Sequence, residues 1–418
     1  MAEKNTTSRG VGAPLAADYV TLWQAVDPVK QIGYCPALAR LPSGRLVAVL
    51  LVFDQRDEAE HEWLVKAYTS DDGGATWTHR KDLPMVDGFP FVAGSSVYII
   101  GGRDDLQIAR SDDAGETWTD LIPLQTGKLW YSFPGSTVTT RGRIYMIREC
   151  RTEPIRHGFP VWILAPVLMS ASVEDDLTRP ESWTYSNVLA FGDVLKQYGR
   201  PNLIGVPFYE PGRHSTEGVH RSMAKIGWGE ANLVQIADPD HIWHDPSGRT
   251  FHMFLRCNTG RSNLAAMAKA VEEEDGSLHV DLQKAPSGQP ILYVPFPGAH
   301  IGFIIVHDAE TGLHWLLSSQ ATDSMRRIDR LHPKHYGMPA NERRRIALYF
   351  SKNCMDWCFA GIVAANDEVH GSHYHGGAVI DGDDLVILMR TADENAVNAH
   401  NSNLITFHRI ERFRELAY

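Results

Sequence analysis

Apolar runs broken by short polar turns repeat along this chain, and the commonest unit is an apolar strand, a turn containing Gly and a second apolar strand. Such hairpins are read at 37–50, 89–100, 136–147, 242–255, 303–317 and 377–389, from their β-branched and aromatic content and their turn residues. Each is followed by a further strand-like run. One segment, VLAFGDVLKQYGR, has the spacing of a short helix between the third and fourth hairpins.

A second repeat overlies the first. YTSDDGGATWTH at 68–79 returns as ARSDDAGETWTD at 109–120, with Ser70, Asp72, Gly74, Thr76 and Trp77 matched by Ser111, Asp113, Gly115, Thr117 and Trp118. Degenerate copies run through Ser172, Asp176 and Trp183 and through Ser351, Asn353 and Trp357. Asp and Ser or Thr side chains suit the turn backbone, Gly permits positive φ, and Trp offers a large ring to bury, so the box is read as structural. A hairpin, a third strand, a boxed turn and an edge strand make one propeller blade. Six such units predict an all-β, six-bladed β-propeller of four-stranded antiparallel blades. The strand DYVTLWQAV at 18–26 is expected to complete the last blade and close the ring, leaving 1–17 as a tail and 18–418 as one domain.

Composition narrows the function classes. A formal net charge of -11 provides no general field for phosphates, which argues against a nucleic-acid partner. No apolar stretch approaches a membrane span or a signal peptide. The five cysteines, Cys35, Cys150, Cys257, Cys354 and Cys358, have no metal-site spacing, and their odd number suggests reduced thiols and a cytoplasmic location. No cofactor and no metal is expected.

The boxes on a six-unit pattern resemble the Asp-box, or bacterial neuraminidase repeat, of the sialidase superfamily. That resemblance implies a carbohydrate-active propeller with a Tyr nucleophile paired to a Glu, an Asp acid/base and three arginines on the substrate carboxylate. In GYCPALARLPSGRL, Cys35 stands where the first arginine would be, and a thiol cannot make its two-pronged contact. Glu230 and Arg256 match the fourth blade's Glu and Arg, His300 falls near the third arginine's place, and Tyr374 matches the nucleophile with Arg390 ending the next strand. Asp54, Asp57 and Glu60 follow the first hairpin, where the acid would come.

The chemistry of the residues agrees with an acidic sugar as ligand. Arg56, Arg103, Arg148, Arg256 and Arg390 each end or follow a second strand, where they would ring one channel mouth. Trp130 and Tyr131 offer faces for sugar stacking or for packing between blades, and His157 lies in a loop. The run NERRRIAL, with Arg343, Arg344 and Arg345, reads as a solvated face. Three functions remain. The first is a sialidase-like glycoside hydrolase acting through Glu230 and Tyr374 on a uronic- or sialic-acid-like oligosaccharide. The second is a uronate lyase using Tyr374 and His375 for β-elimination. The third is a noncatalytic glycan-binding propeller.

Overall fold

In the computed structural model, five of the six hairpins form antiparallel strand pairs where the sequence places them, whereas in the fourth Thr250–Asn258 pairs with Gly227–Val234 and the Asp-Pro-Ser-Gly segment within 242–249 is turn and loop, not strand. The structure describes residues 12–55, 61–131, 133, 135–155, 161–198, 227–258, 263–322, 342–368 and 370–418. Their first strands are Gln31–Arg40, Phe89–Ala93, Thr137–Thr140, Gly227–Val234, Ile304–Asp308 and Ser372–Asp381. Segments from all six line one cavity of about 580 Å³, so they surround a common channel. The ring is tight where its ends meet. A Cβ at Gly377 would fall 2.7 Å from the Cα of Ala37, on the first strand of the first hairpin.

Hydrogen bonding gathers the strands into five sheets, not six separate ones. Those built on the hairpins beginning at Gln31, Ile304 and Ser372 have four strands each, and the one beginning at Gly227 has six. The hairpins beginning at Phe89 and Thr137 share an eight-stranded sheet, because the strand Ile122–Tyr131 reaches Arg143–Arg151 through the pair Trp130 and Cys150. The predicted helix is present at Phe191–Tyr198, where Phe191 packs edge-on against Trp228.

Ring closure uses the N-terminal segment twice. Val20–Gln24 pairs antiparallel with Leu404–Ile410 and becomes the outer strand of the last sheet. Just before it, the amides of Leu15 and Ala16 donate to the carbonyls of Ile362 and Val363 in the neighbouring sheet, and buried His408 donates Nδ1–H to the Ala16 carbonyl.

The boxed turns follow from their side chains. Asp72 accepts from the Thr76 amide at 2.8 Å and from its hydroxyl at 2.6 Å, Ser70 accepts from the Gly74 amide, and the Trp77 indole donates to the Gly74 carbonyl. The second copy repeats each bond. Gly74, at φ 95°, leaves room for Phe407 of the last sheet, whose ring a Cβ would meet at 2.2 Å. Gly115 similarly faces Thr69 and Val47 of the first sheet. The two turns therefore dock the first sheet on the last and the eight-stranded sheet on the first.

Trp118 is buried in the largest apolar cluster. Trp118→Ala should lower unfolding free energy by about 3–5 kcal/mol in denaturant titration, whereas a loss below about 1 kcal/mol would show that the indole is not an inter-sheet anchor.

Candidate active site

At the end of the channel where the first strands begin, three strands break their alternation. Register shifts lie between Tyr34 and Ala37, Gly229 and Ala231, and Tyr374 and Gly376. Cys35 and Glu230 occupy these bulges at φ 44° and 54°. Left-handed backbone at a non-glycine residue costs about 1–3 kcal/mol and concentrates where a bulge re-aims a side chain. Here it brings Cys35 and Glu230, from separate sheets, into electrostatic contact.

Glu230 is buried and accepts from Arg256 Nη1 at 2.7 Å. An opposite charge at that distance favours the ionised carboxylate. Arg256 is held in turn by donating Nε–H to the His300 carbonyl. Both bonds depend on the pairing of Gly227–Val234 with Thr250–Asn258, which puts Arg256 opposite Gly229, immediately before the bulge.

Two further guanidiniums alternate with aromatic rings. Arg390 lies 4.2 Å from the ring centre of Tyr34 and 4.6 Å from that of Tyr374, and Arg343 lies 4.7 Å from Tyr374 on the same column. Such cation–π contacts compensate part of the lost hydration. Burial still lowers Arg343 to about 10, a value that keeps it charged at neutral pH. The Tyr374 hydroxyl and Arg390 Nη2 both donate to the His400 carbonyl, at 2.7 and 2.6 Å. Arg256, Arg343 and Arg390 all act electrostatically on the His400 ring, whose ionisation burial and these cations push well below the usual range.

The other side of the mouth holds acids. Burial raises Glu149 to about 7 although its oxygens accept the amides of Ala231 and Phe133 at 3.0 and 3.3 Å. Because Ala231 follows Glu230, that bond clamps the bulge from the adjacent hairpin. Burial also raises Asp87 to about 7, outweighing the opposing influence of Cys35, Arg103 and Arg148. The proton-rich character of this side comes from desolvation in both groups.

Several expected site residues have other tasks. Trp130 is 1 % exposed in the apolar core and presents no stacking face, because the pairing at Cys150 encloses it. His300 cannot hold an anion as a cation. Its ring nitrogens meet Asn263 and the Glu342 carbonyl, and burial lowers it to about 3. Arg148 is buried, donates to the Phe133 carbonyl and lies over Phe89, so it supports the wall. Asp54 accepts from Gln31 at its strand end. The Asp brought to Cys35 and into the field of Glu230 is instead Asp87. Tyr131 does reach the mouth, beneath Arg103 and Arg151 and in the field of Asp87. His373 turns away to Thr391, Tyr19 and His408. Arg56, Asp57, Glu60, His157 and the side chain of His375 lie outside the described residues.

Arg343 was read from sequence as solvated, yet it is 6 % exposed and stacks in the site. Its signal was its place immediately before the buried strand Arg345–Ser351, opposite the beginning of the last first strand, where the His373 amide bonds the Arg343 carbonyl. Asp87 and Glu149 carried no local motif.

No protein-family model matches the chain, and no curated protein matches it in sequence. Solved structures do share its fold. An α-L-arabinanase of Penicillium chrysogenum, solved with arabinobiose, aligns over 97 % of this chain and 100 % of its own at TM-score 0.52 and 12 % identity. Trypanosoma rangeli sialidase aligns over 97 % of this chain and 60 % of its own at 0.55 and 11 %. The intramolecular trans-sialidase of Ruminococcus gnavus aligns over 93 % and 96 % at 0.52 and 12 %. These similarities establish an all-β propeller arrangement of mostly antiparallel sheets.

Arg256→Ala leaves the buried Glu230 carboxylate without its cation, and should cost about 3–5 kcal/mol in chemical denaturation; a loss under about 1 kcal/mol would show the pair is dispensable. The raised Glu149 carboxyl stabilises the fold fully below its unfolded pKa, and this stability is lost as pH rises through about 7. The Tm of Glu149→Gln relative to the native protein should therefore improve from pH 5 to pH 8. A constant difference would remove Glu149 from the titrating groups.

Proposed function

We propose that the five sheets form a six-bladed, sialidase-like propeller spanning 18–418, the eight-stranded sheet being two blades joined at one pair. Its channel mouth is a glycoside hydrolase site for an oligosaccharide bearing a carboxylate. The observation that carries this reading is the Glu230–Arg256 pair beside the stacked Arg343 and Arg390. The arabinanase and sialidase neighbours, enzymes that act on glycans, support a carbohydrate substrate.

Arg256, Arg343 and Arg390 receive the sugar's carboxylate. Arg343 thus takes part of the role expected of His300. Glu230 is ion-paired to Arg256, and Glu149, raised to about 7 by burial, reaches the same bulge through the Ala231 amide, so the two carboxyls are placed for complementary acid and base roles. Glu149 gives its proton to the leaving glycosidic oxygen as that bond breaks. Tyr374 and Glu230 meet the positive charge that develops on the sugar ring, with the phenol as nucleophile and Glu230 as acceptor of its proton. Water then attacks the sugar carbon as the bond between Tyr374 and the sugar breaks, giving one proton to Glu149 while Glu230 returns its proton to the Tyr374 oxygen.

Aryl uronides, sialosides and L-arabinofuranosides, followed by reducing ends and ultraviolet absorbance together, test the reaction. Reducing ends should appear without a conjugated double bond. Glu230→Gln and Tyr374→Phe should each lower kcat by about 10²-fold or more with folding kept. Arg343→Gln should raise KM for acidic sugars and leave neutral ones unchanged. Native rates in the Glu230 and Tyr374 variants would reject this mechanism, and an absorbance gain would replace hydrolysis with elimination.

A further inference from the structure

Between the strands Asp384–Ala392 and Leu404–Ile410 of the last sheet, residues 393–403 form a loop that reaches into the mouth. Its neck is tied by the Asn403 side chain, which donates to Asp393 Oδ1 at 2.7 Å and accepts the Asp393 amide at 3.2 Å. Nearer the tip, Asn398 Oδ1 accepts the amides of His400 and Asn401, both at 2.9 Å. These bonds aim one backbone oxygen at the cations. The His400 carbonyl accepts from Arg390 Nη2 at 2.6 Å, from the Tyr374 hydroxyl at 2.7 Å and from the Ser402 amide at 3.1 Å. A neutral carbonyl has two lone pairs for these three donors. Among the described residues no acceptor meets Arg390 Nε, although that side chain is buried. A carboxylate suits the donors better, since its two oxygens present about four lone-pair sites and its charge makes each bond to a guanidinium about twice as strong.

We propose that residues 393–403 are a displaceable plug: the His400 carbonyl holds the place of the ligand's carboxylate, and an acidic sugar binds by taking Arg390 from it and freeing Tyr374. This rests on reading the mouth as a site for a sugar acid. Electrostatics favours the exchange, because Arg256, Arg343 and Arg390 are all buried around His400, and an anion replaces a neutral group among three cations. Release also prepares the chemistry. A phenol has one proton to donate, and while the His400 carbonyl accepts it Glu230 does not. Once the carbonyl withdraws, the Tyr374 hydroxyl can turn its proton to Glu230, as the nucleophile's role requires. The plug therefore couples arrival of the carboxylate to activation of the phenol. Its tip can move without opening the neck. Asn395, Val397 and Asn398 are exposed, whereas Ala396 is buried and its carbonyl accepts from His370 Nδ1 at 2.8 Å.

The test joins two measurements on the full chain. Amide hydrogen exchange is followed with and without saturating N-acetylneuraminate, D-glucuronate or their methyl esters. Both acids are also titrated calorimetrically into the native protein, into Asn398→Ala and into a variant with 395–401 replaced by two glycines, with Tm as the folding control. Either acid should speed exchange of the His400 and Asn401 amides, which the closed plug protects through Asn398, and the esters should leave it unchanged. The shortened loop lacks the carbonyl and should bind the acids about tenfold more tightly, the gain from a plug closed nine-tenths of the time. Asn398→Ala loosens the tip but keeps the carbonyl, so its affinity should fall between the two, and it decides the comparison if the shortened protein fails to fold. Binding by the shortened protein alone would also support the plug. Unchanged or slower exchange under saturating acid, equal affinity in the native and variant proteins, or no binding by any of them would overturn it. Cleavage of a glycoside with exchange unchanged would reject the plug and keep the hydrolase reading. Loop release in a protein that cleaves none of the glycosides would sink the hydrolase reading and leave the plug standing.

Discussion

The ion pair between Glu230 and Arg256 constrains everything around the channel mouth. A carboxylate taken out of water has to keep its countercharge at hydrogen-bond distance, and 2.7 Å achieves this only if both side chains are rigidly placed. Arg256 is placed by its strand and by the His300 carbonyl. Glu230 is placed by the left-handed bulge, which Glu149 holds from the neighbouring hairpin by accepting the Ala231 amide. Loosening any of these supports exposes a buried charge, so geometry and stability are coupled at this point.

The same requirement accounts for the aromatic column. Arg343 and Arg390 are both buried cations close to Arg256, and their mutual repulsion is offset by the faces of Tyr34 and Tyr374 and by the His400 carbonyl. Glu230 balances the charge of Arg256.

Convergence of these groups depends on features far from them. The boxed turns set the first sheet on the last and the eight-stranded sheet on the first through Phe407, Thr69 and Val47, and the N-terminal segment joins the last two sheets. These contacts at the periphery fix the angle between sheets. Angle and ring closure together decide whether residues more than a hundred positions apart meet at one mouth.

Local chemistry was legible from the chain alone. Strand periodicity and Gly turns located five of the six hairpins and the second strand of the fourth, the Asp, Ser, Gly and Trp spacing located the boxed turns, and the family resemblance with strand position pointed to Glu230, Arg256, Tyr374 and Arg390. Each rests on forces acting within a few residues, or on strand alternation. Burial and company were decided only by tertiary structure. Trp130 became core through a pairing between two hairpins, and His300 became a neutral scaffold because burial opposes its charged form. Arg343 left an apparently solvated basic run for an aromatic face supplied by another sheet. Desolvation and charge pairing depend on distances between segments remote in sequence, and only the closed ring sets those distances.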